Sequence, residues 1–441
     1  MRAWAVAGTL ASSAKPMQQA ARDQGDIVPD TALFAQVLDP PNRADPYPLY
    51  ARLRETPILR DKDGTYIVST YAEIRSLLQD SRVSSEDIPV FKRARTGNPI
   101  VDFIINPIKD RIIEAHRPLL FRDPPDHGVL RRLIMTQFTT ERVRATSGRV
   151  HAIVEDLIDK MRGREEIDLV GDFAYPLPVA IICELLGIPS GDEQKFQSWS
   201  ATLAGVLDPD HWVREEHRLK SIENYDAITH YLSAIIKAKR KRPADDVLSG
   251  LATYKDKKLG RMGKYDLIAT SVLLLIAGHE TTVNLIANGM LTLLRNREWL
   301  ERLRQDPTLA PRIVDELLRF DPPVHFRTRK TLAEIPIAGT VIPKGAPLIL
   351  LFASGNRDPK RFQDPDRFDP ERPDNLHFGF GGGPHYCIGA PLARLEVETA
   401  LTALAKRLVD PQLVVDPPLY RPGASLRGPA RLPLRVAAIA A

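Results

Sequence analysis

Apolar positions between residues 127 and 320 recur mostly at intervals of three and four residues. Because this spacing places side chains on one face of an α-helix, it predicts a helical block in the middle of the chain. The predicted helices cover residues 128–137, 140–162, 173–186, 193–206, 213–240 and 265–296. The last helix would be about 48 Å long at a rise of about 1.5 Å per residue. It is apolar around most of its circumference between residues 267 and 277, which predicts a buried middle.

The segments on either side of this block follow other patterns. Amphipathic stretches at 48–55 and 71–78 flank the β-like run TYIVST at 65–70. After residue 327, the run IPIAGTVIPKGAPLILLFA (335–353) predicts a hairpin and a further strand, and a final helix is predicted from about Ile388. The sequence therefore predicts a mainly α chain with small β-sheets, of the α+β class. We expect residues 1–30 to form a frayed extension and residues 31–441 to form a single domain.

Composition narrows the class of protein. The chain has 441 residues, of which 43% are hydrophobic and 27% charged, as in folded globular proteins. Its 61 basic and 56 acidic residues leave a net charge of +5, too small to indicate a nucleic-acid-binding protein. Two cysteines, Cys183 and Cys387, cannot build a disulfide framework or a zinc ribbon, which favours the reducing cytoplasm. The longest apolar run, 267–278, is shorter than a membrane span, so we expect no membrane anchor.

The run FGFGGGPHYCIG (378–389) is the first candidate for chemistry. Glycines let the backbone pass close to a ligand, and the segment that follows predicts a helix, so Cys387 lies at or just before a helix N-terminus. The helix dipole and free N–H groups there lower the pKa of a thiol, whose thiolate can act as a nucleophile or a metal ligand. A lone buried cysteine without chemical function is the alternative.

Two other functions for this loop are disfavoured by spacing. A dinucleotide-binding loop needs glycine at the sixth position of G-x-G-x-x-G, but counting from Gly379 that position is Pro384. A cysteine hydrolase needs a partnered histidine, and although His385 is near in sequence, no local signature supports the pair. The sequence also lacks the G-x-S-x-G elbow of serine hydrolases.

The second candidate is AGHETT (277–282), in the middle of the long predicted helix. Its His279 and Glu280 begin like the zinc motif H-E-x-x-H, but the fifth position is Val283, which excludes that interpretation. A glutamate and hydroxyl groups in an apolar helix are costly to bury unless they are paired. They indicate either a proton relay beside a ligand or threonines that bond back to the preceding helical turn.

Two further pairs of residues share a helix face. Glu316 and Arg319 are three residues apart, and His127 and Arg131 are four apart. Taken alone, such pairs are most often solvated surface contacts.

Taken together and in this order, these segments resemble the bacterial cytochrome P-450 family, over roughly residues 40–435. The run 378–389 fits the family's haem loop, Phe-x-x-Gly-x-x-x-Cys-x-Gly, with Phe380, Gly383, Cys387 and Gly389 in place. The resemblance implies a cytochrome P-450 fold, with haem b between a long distal helix and the helix after the cysteine loop. It also implies that Cys387 is the ligand of the haem iron.

The run AGHETT resembles the family's distal helix motif, in which Ala277 and Gly278 contact the haem. Glu280 then corresponds to the acid, and Thr281 to the hydroxyl, that together support proton delivery at the iron.

The remaining pairs also match the family. Glu316 and Arg319 match its Glu-x-x-Arg, with Arg372 as the third member of a buried charge network that serves folding and haem seating.

His127, Arg131, Arg329 and His385 resemble the residues that hold the haem propionates, and two arginines with two imidazoles suit two carboxylates.

The resemblance implies a haem-thiolate monooxygenase that inserts one oxygen atom from O₂ into an apolar small molecule, by hydroxylation or epoxidation. Because the sequence contains no flavin or iron–sulfur motif, we expect a ferredoxin-type electron donor with its reductase. We expect this donor to dock on the proximal face, near Arg131, Arg132 and the loop before Cys387. A peroxide-driven oxygenase, a haem-thiolate rearrangement enzyme and a non-catalytic haem-dependent ligand binder are the alternatives. Residues 84–117, 196–214 and 322–328 are expected to line an apolar distal pocket.

Overall fold

The computed structural model of this chain describes residues 33–86, 104–192, 215–257 and 260–441, together with residues 195, 196, 199 and 203. The extension predicted at residues 1–30 and most of the helix predicted at 193–206 lie outside the described residues. The α-helices are, in chain order, α1 (Leu33–Leu38), α2 (Tyr47–Arg54), α3 (Tyr71–Gln79), α4 (Asn106–Ala115), α5 (Asp126–Met135), α6 (Thr140–Ala145), α7 (Ser147–Met161), α8 (Pro176–Leu186), α9 (Glu215–Lys241), α10 (Val247–Thr253), α11 (Lys264–Arg295), α12 (Arg297–Gln305), α13 (Ala310–Phe320), α14 (Phe352–Gly355) and α15 (Ala390–Arg407).

The strands are short and form small sheets. They are β1 (Ile58–Arg60), β2 (Tyr66–Val68), β3 (Val83–Ser84), β4 (Glu166–Asp168), β5 (Arg327–Thr331), β6 (Ile335–Ile337), β7 (Thr340–Ile342), β8 (Pro347–Leu350), β9 (Leu408–Val409), β10 (Gln412–Leu413), β11 (Pro433–Arg435) and β12 (Ala438–Ile439). The largest sheet has the order β1-β2-β8-β5-β3, and the hairpin predicted after residue 335 is β6–β7. The prediction of a mainly α chain with small β-sheets is confirmed.

The predicted helical block is largely confirmed, with two corrections. Residues 140–162 form two helices rather than one, because Thr146 ends α6, with its N–H directed to the carbonyls of Arg142 and Val143. The helix predicted from residue 173 begins instead at Pro176, since proline suits the first turn of a helix. A π-helical turn at Val170–Ala174 precedes it.

Helix α11 is the central element of the core. It packs against α8, α9 and α15, and most of its side chains from Leu267 to Leu294 are buried. Gly278 allows the close approach of α8, since a Cβ there would lie 2.8 Å from Cδ1 of Ile182. Among the described helices, only α11 is long and apolar enough to cross a membrane, and 67% of its most apolar window is buried inside the protein. This burial is typical of a core helix.

The largest sheet carries a buried basic side chain on one of its interior strands. Strands β2 and β8 pair in parallel, β8 and β5 in antiparallel, and Arg329 of β5 lies opposite Leu348 of β8. Arg329 therefore occupies an interior strand, where its side chain is 7% exposed. Arg329 lines a cavity together with residues of the loop that leads into α15.

Candidate functional site

A cavity lies between the middle of α11 and the loop that leads into α15. The cavity volume, taken as the space open to the centre of a water molecule, is about 220 Å³. The structure brings together here the residues that the sequence analysis assigned to the cofactor, as well as Thr281; these are His127, Arg131, Ala277, Gly278, Arg329, Phe380, His385, Cys387 and Gly389. Apolar side chains, including Leu120, Phe138 and Val324, form most of the remaining wall. The arrangement suits an apolar ligand with an anionic end.

The loop before α15 depends on its glycines. Gly381 and Gly383 have φ values of +70° and +63°, in the left-handed region that glycine adopts without strain. A Cβ on Gly383 would also lie 2.1 Å from the carbonyl oxygen of Leu78, so no other residue fits there. The N–H of Cys387 donates to the carbonyl of Phe380 at 3.0 Å. These features fix the backbone that presents Cys387 to the cavity.

The surroundings of Cys387 shift the pKa of its thiol in opposite directions. Its side chain lines the cavity and is exposed to it, but protein encloses the sulfur from the other directions, and this burial raises the pKa of the thiol. The N–H groups of Gly389 and Ala390 and the charge of Arg131 lower the pKa by less. The helix N-terminus therefore lowers the thiol pKa as predicted, but burial of the sulfur raises it by more. A cation bound at the sulfur would instead lower the pKa of the thiol, because a coordinating thiol is deprotonated.

Helix α11 forms the opposite wall. Thr281 lines the cavity, and its Oγ1 donates to the carbonyl of Ala277 at 2.9 Å. The hydroxyl therefore bonds back to the preceding turn and also borders the cavity, and its role in a proton relay stays a prediction. Ala277 is exposed at the same wall.

Glu280 is not part of the cavity wall. Its side chain is buried, and Oε1 accepts a hydrogen bond from Nη1 of Arg421. Among the described residues, Oε2 has no hydrogen-bond partner. The structure therefore does not bring the carboxylate to the cavity beside Thr281, and the proton-delivery role of Glu280 stays a prediction.

A basic corner closes one end of the cavity, where His127, Arg131, Arg329 and His385 meet. The rings of His127 and His385 have centroids 4.2 Å apart. Burial and the neighbouring arginines lower the pKa of His385 to about 3, and they also lower the pKa of His127. Burial lowers the pKa of Arg329 to about 10, with Asp123 opposing the shift.

The described residues offer the basic corner too few carboxylates to neutralise its guanidinium groups. Within the described part of the chain, Nε2 of His127 is buried and has no hydrogen-bond partner. The guanidinium of Arg329 donates to the carbonyl of Thr328, and no carboxylate pairs with it directly in those residues. A buried charge is stable only when it is paired. The corner therefore suits a ligand that carries carboxylates.

Glu316, Arg319 and Arg372 form a charge network outside the cavity. Arg319 and Glu316 are both fully buried and make two hydrogen bonds, at 2.7 and 2.8 Å. Nε of Arg372 lies 3.6 Å from Oε1 of Glu316. Arg319 also donates to the carbonyls of Asn356, Pro365 and Arg367. The network ties the chain between α14 and the cysteine loop to α13.

Sequence analysis missed several residues of the site. Ser85 Oγ lies 3.0 Å from Nε2 of His385, and the N–H of Ser85 donates to Asp123. Arg421, which pairs with Glu280, is separated from it by 141 positions. No local pattern marks these residues. The apolar residues predicted at 84–117 do not form the wall where they are described, since Ile104 and Ile105 are 55% and 39% exposed.

Glu396 of α15 is a further missed residue of the cavity wall. It is buried, its Oε2 has no partner among the described residues, and burial raises its pKa well above the ordinary value of 4.5. Because the folded pKa exceeds the unfolded one, unfolding free energy falls as pH rises from the unfolded pKa through the folded pKa. We expect Glu396→Gln to raise the thermal midpoint of the loaded protein at pH 8, with a smaller gain at pH 6. Parallel midpoint-against-pH curves for variant and wild type would contradict this.

Comparison with known proteins gives a consistent result. The sequence profile described as "Cytochrome P450" matches residues 94–409. Cytochrome P450 107B1 of Saccharopolyspora erythraea is 36% identical over 425 residues, which cover 92% of this chain and 98% of that protein. Cytochrome P450 monooxygenase PikC of Streptomyces venezuelae is 37% identical over 402 residues, which cover 89% and 91%.

Solved structures show the same similarity. The ligand-free crystal structure of Mycobacterium smegmatis CYP164A2 matches with a TM-score of 0.82 and 36% identity. The match covers 92% of this chain and 100% of that chain. The similarity therefore extends over α11, the cavity and the cysteine loop.

Proposed function

This chain belongs to the cytochrome P450 family of haem-dependent, oxygen-incorporating oxidoreductases. We therefore propose that Cys387 ligates the haem iron and that the enzyme oxygenates an apolar small molecule. The observation that carries this proposal is the placement of a thiol, a hydroxyl of the long helix α11 and the basic corner around the same cavity. Cys387 supplies the thiol, and Thr281 of α11 supplies the hydroxyl.

The residues of the cavity fit haem b. Haem carries two carboxylates, and the basic corner offers two guanidinium groups and the unpartnered Nε2 of His127 to bind them. The described residues contain no group of three or more His, Cys, Asp or Glu side chains that could hold a metal ion alone. A single thiol ligand is sufficient when a porphyrin brings four of the ligands. Bound haem supplies the electron-transfer and oxygen chemistry that amino acid side chains lack.

The substrate is an apolar small molecule, which undergoes hydroxylation or epoxidation. Leu120, Phe138, Leu273 and Val324 offer apolar contacts that exclude water and orient such a molecule by shape. A panel of terpenoids, steroids, fatty acids and macrolides can be screened for a low-spin to high-spin shift of the iron. The substrate class is identified by the compounds that give this shift.

The electrons come from a separate ferredoxin-type protein with its reductase. Arg132 is exposed on α5 beside the cavity residue Arg131, and cations at this face favour an acidic partner. We place the reaction in the cytoplasm, where such a donor and reduced cysteines are available.

The Thr281→Ala variant tests the function. The hydroxyl at the cavity wall orders proton delivery, so its loss should divert electrons from product to hydrogen peroxide. We expect a several-fold lower yield of product per NADH and a higher share of peroxide, measured with a surrogate ferredoxin system and a compound that gives the high-spin shift. Haem binding should remain.

Ser271→Ala is the matched control. Ser271 lies on the same helix as Thr281, and each hydroxyl donates a hydrogen bond to the carbonyl four residues earlier. Unlike Thr281, Ser271 lies outside the cavity wall. The control should retain wild-type coupling. Unchanged coupling in Thr281→Ala would exclude the relay, and turnover by peroxide alone, without NADH use, would support a peroxide-driven oxygenase instead.

A further inference from the structure

The chain between α13 and β5 contributes to the cavity wall. Pro323, Val324 and Arg327 line the cavity, and residues 323–327 are named the wall segment here. Residues 323–326 belong to neither α13 nor β5. Their position therefore depends on contacts with other parts of the chain, because their backbone groups are not held by a helix or a sheet.

A C-terminal stretch, residues 424–428, pairs with the wall segment in antiparallel orientation. The N–H of His325 donates to the carbonyl of Ser425 at 2.9 Å, and the N–H of Arg427 donates to the carbonyl of Pro323 at 2.9 Å. Val324 lies between these two bonds and forms a β-bridge with the C-terminal stretch. The position of Val324 in the cavity therefore follows the position of that stretch.

This main-chain pairing is too short to hold the wall segment alone. The C-terminal stretch, like residues 323–326, lies outside the sheets of the protein. Two short paired segments are only marginally stable unless other contacts support them. The pair can therefore keep its own hydrogen bonds and still shift as a unit, unless a further contact ties it to the rest of the fold.

The side chain of Arg427 provides this contact. Arg427 is 3% exposed, and its Nη1 donates to Oδ1 of Asp321 at 2.6 Å. Its Nε and Nη2 donate to the carbonyls of Arg43 and Ala44, at 2.6 and 2.8 Å. One guanidinium therefore connects the C-terminal stretch to the end of α13 and to the chain just before α2.

Asp321 is the anionic partner and lies two residues before the wall segment. Its Oδ1 also accepts a hydrogen bond from the hydroxyl of Tyr47 at 2.6 Å. Burial raises the pKa of Asp321, but the charge of Arg427, together with His325 and Tyr47, lowers the pKa by more, to well below its ordinary value. The carboxylate is therefore charged at neutral pH. Separating this buried pair would leave two charges unpaired, so the pair resists displacement.

We propose that the Asp321–Arg427 ion pair fixes the wall segment at the cavity and thereby sets which apolar molecules fit beside Val324. The inference rests on the proposed function, because it concerns the cavity in which that function takes place. Asp321 and Arg427 lie outside the cavity wall themselves. They are therefore positioning residues, which act on a bound molecule through Val324.

Two azoles that bind iron through the same type of nitrogen test this proposal in the haem-loaded protein. Imidazole reaches only the iron, whereas the bulky triaryl group of clotrimazole extends to the cavity wall. The azole selectivity, defined as the Kd of imidazole divided by the Kd of clotrimazole, reports contacts with the wall. In Arg427→Met we expect this selectivity to fall about ten-fold, the usual scale for losing an apolar contact in a pocket. Both constants are measured from the shift of the Soret band.

The Val324→Ala variant tests whether the effect passes through Val324. This substitution should lower the azole selectivity by itself, because it removes apolar contacts from the wall. Arg427→Met should then lower the selectivity by much less in the Val324→Ala background than in the wild type, since two changes that act on the same contact are not additive. Additive effects would overturn the proposal, because Arg427 would then act by another route.

Lys239→Met is the matched control for the loss of a buried cation. Lys239 pairs with Asp246 just before α10, where both side chains are also largely buried, and neither residue lies in the cavity wall. This control should lose stability but keep the azole selectivity of the wild type. An unchanged selectivity in Arg427→Met, or an equal change in Lys239→Met, would overturn the proposal.

A double variant covers the case in which Arg427→Met fails to fold. Asp321→Asn combined with Arg427→Met removes both charges, so that no buried carboxylate is left without a partner. The double variant should show the same loss of azole selectivity. Wild-type selectivity in the double variant would contradict the proposal.

Failure of this inference is distinguishable from failure of the proposed function. Imidazole binding and the carbon monoxide spectrum of the same samples report the haem iron and its thiolate ligand. Wild-type values of both, with unchanged azole selectivity in the variants, reject only the role of the ion pair. Absence of haem from the wild-type protein rejects the proposed function and this inference together.

Discussion

The Cys387→Ala protein should fold, but it should lose the thiolate-type carbon monoxide spectrum and all O₂-dependent turnover. Cys387 is the only thiol among the described residues of the cavity wall, so no other side chain there can replace it. The loop should keep its shape, because the main-chain bond to Phe380 and the left-handed glycines do not depend on the sulfur. The measurement is the difference spectrum of the reduced protein with and without carbon monoxide.

The second cysteine provides the matched control for this experiment. Cys183 of α8 is buried in the core and lies outside the cavity wall. Cys183→Ala should retain the thiolate-type spectrum and turnover. A thiolate-type spectrum in Cys387→Ala would show that another residue holds the iron.

Replacing Arg319 by methionine should reduce the free energy of unfolding by about 3–5 kcal/mol, the usual cost of leaving a buried charge without its partner. Glu316 would keep its hydrogen bond from the N–H of Asp369, but it would lose both bonds from the guanidinium. The carbonyls of Asn356, Pro365 and Arg367 would also lose their donor. The measurement is denaturant unfolding, with haem content recorded in parallel.

Lys160→Met is the control for this loss of a cation. Lys160 pairs with Asp156 on the exposed surface of α7, and loss of such a pair should change the free energy of unfolding by less than about 0.5 kcal/mol. The Arg319→Met protein should also incorporate less haem, because the network ties the chain before the cysteine loop to α13. Equal stability of the two variants would contradict the structural role of the network.

Local patterns predicted the parts of the site that depend on neighbours in sequence. The long apolar stretch of α11 and the glycines before Cys387 gave the two walls of the cavity, because helix periodicity and backbone freedom are local properties. The break at Thr146 escaped prediction, since the apolar spacing continues through it. Resemblance, rather than spacing, supplied the distant members of the basic corner, such as Arg329.

The remaining features depend on tertiary contacts. Glu280 was predicted to act beside Thr281, but Arg421 binds its carboxyl group away from the cavity, and nothing near either residue in sequence marks that contact. The direction of the pKa shift of Cys387 depends on how far protein surrounds the sulfur. Burial raises the pKa by more than the helix N-terminus lowers it. Burial of this kind is a property of the packed chain and is not encoded in any short motif.

The most direct test of the central claim is the carbon monoxide difference spectrum of the purified wild-type protein after reduction with dithionite. If Cys387 ligates the iron of a haem held in this cavity, the Soret band should be strongly red-shifted, as thiolate ligation requires. A protein without haem, or one with an imidazole-type Soret band in an active preparation, would contradict the assignment.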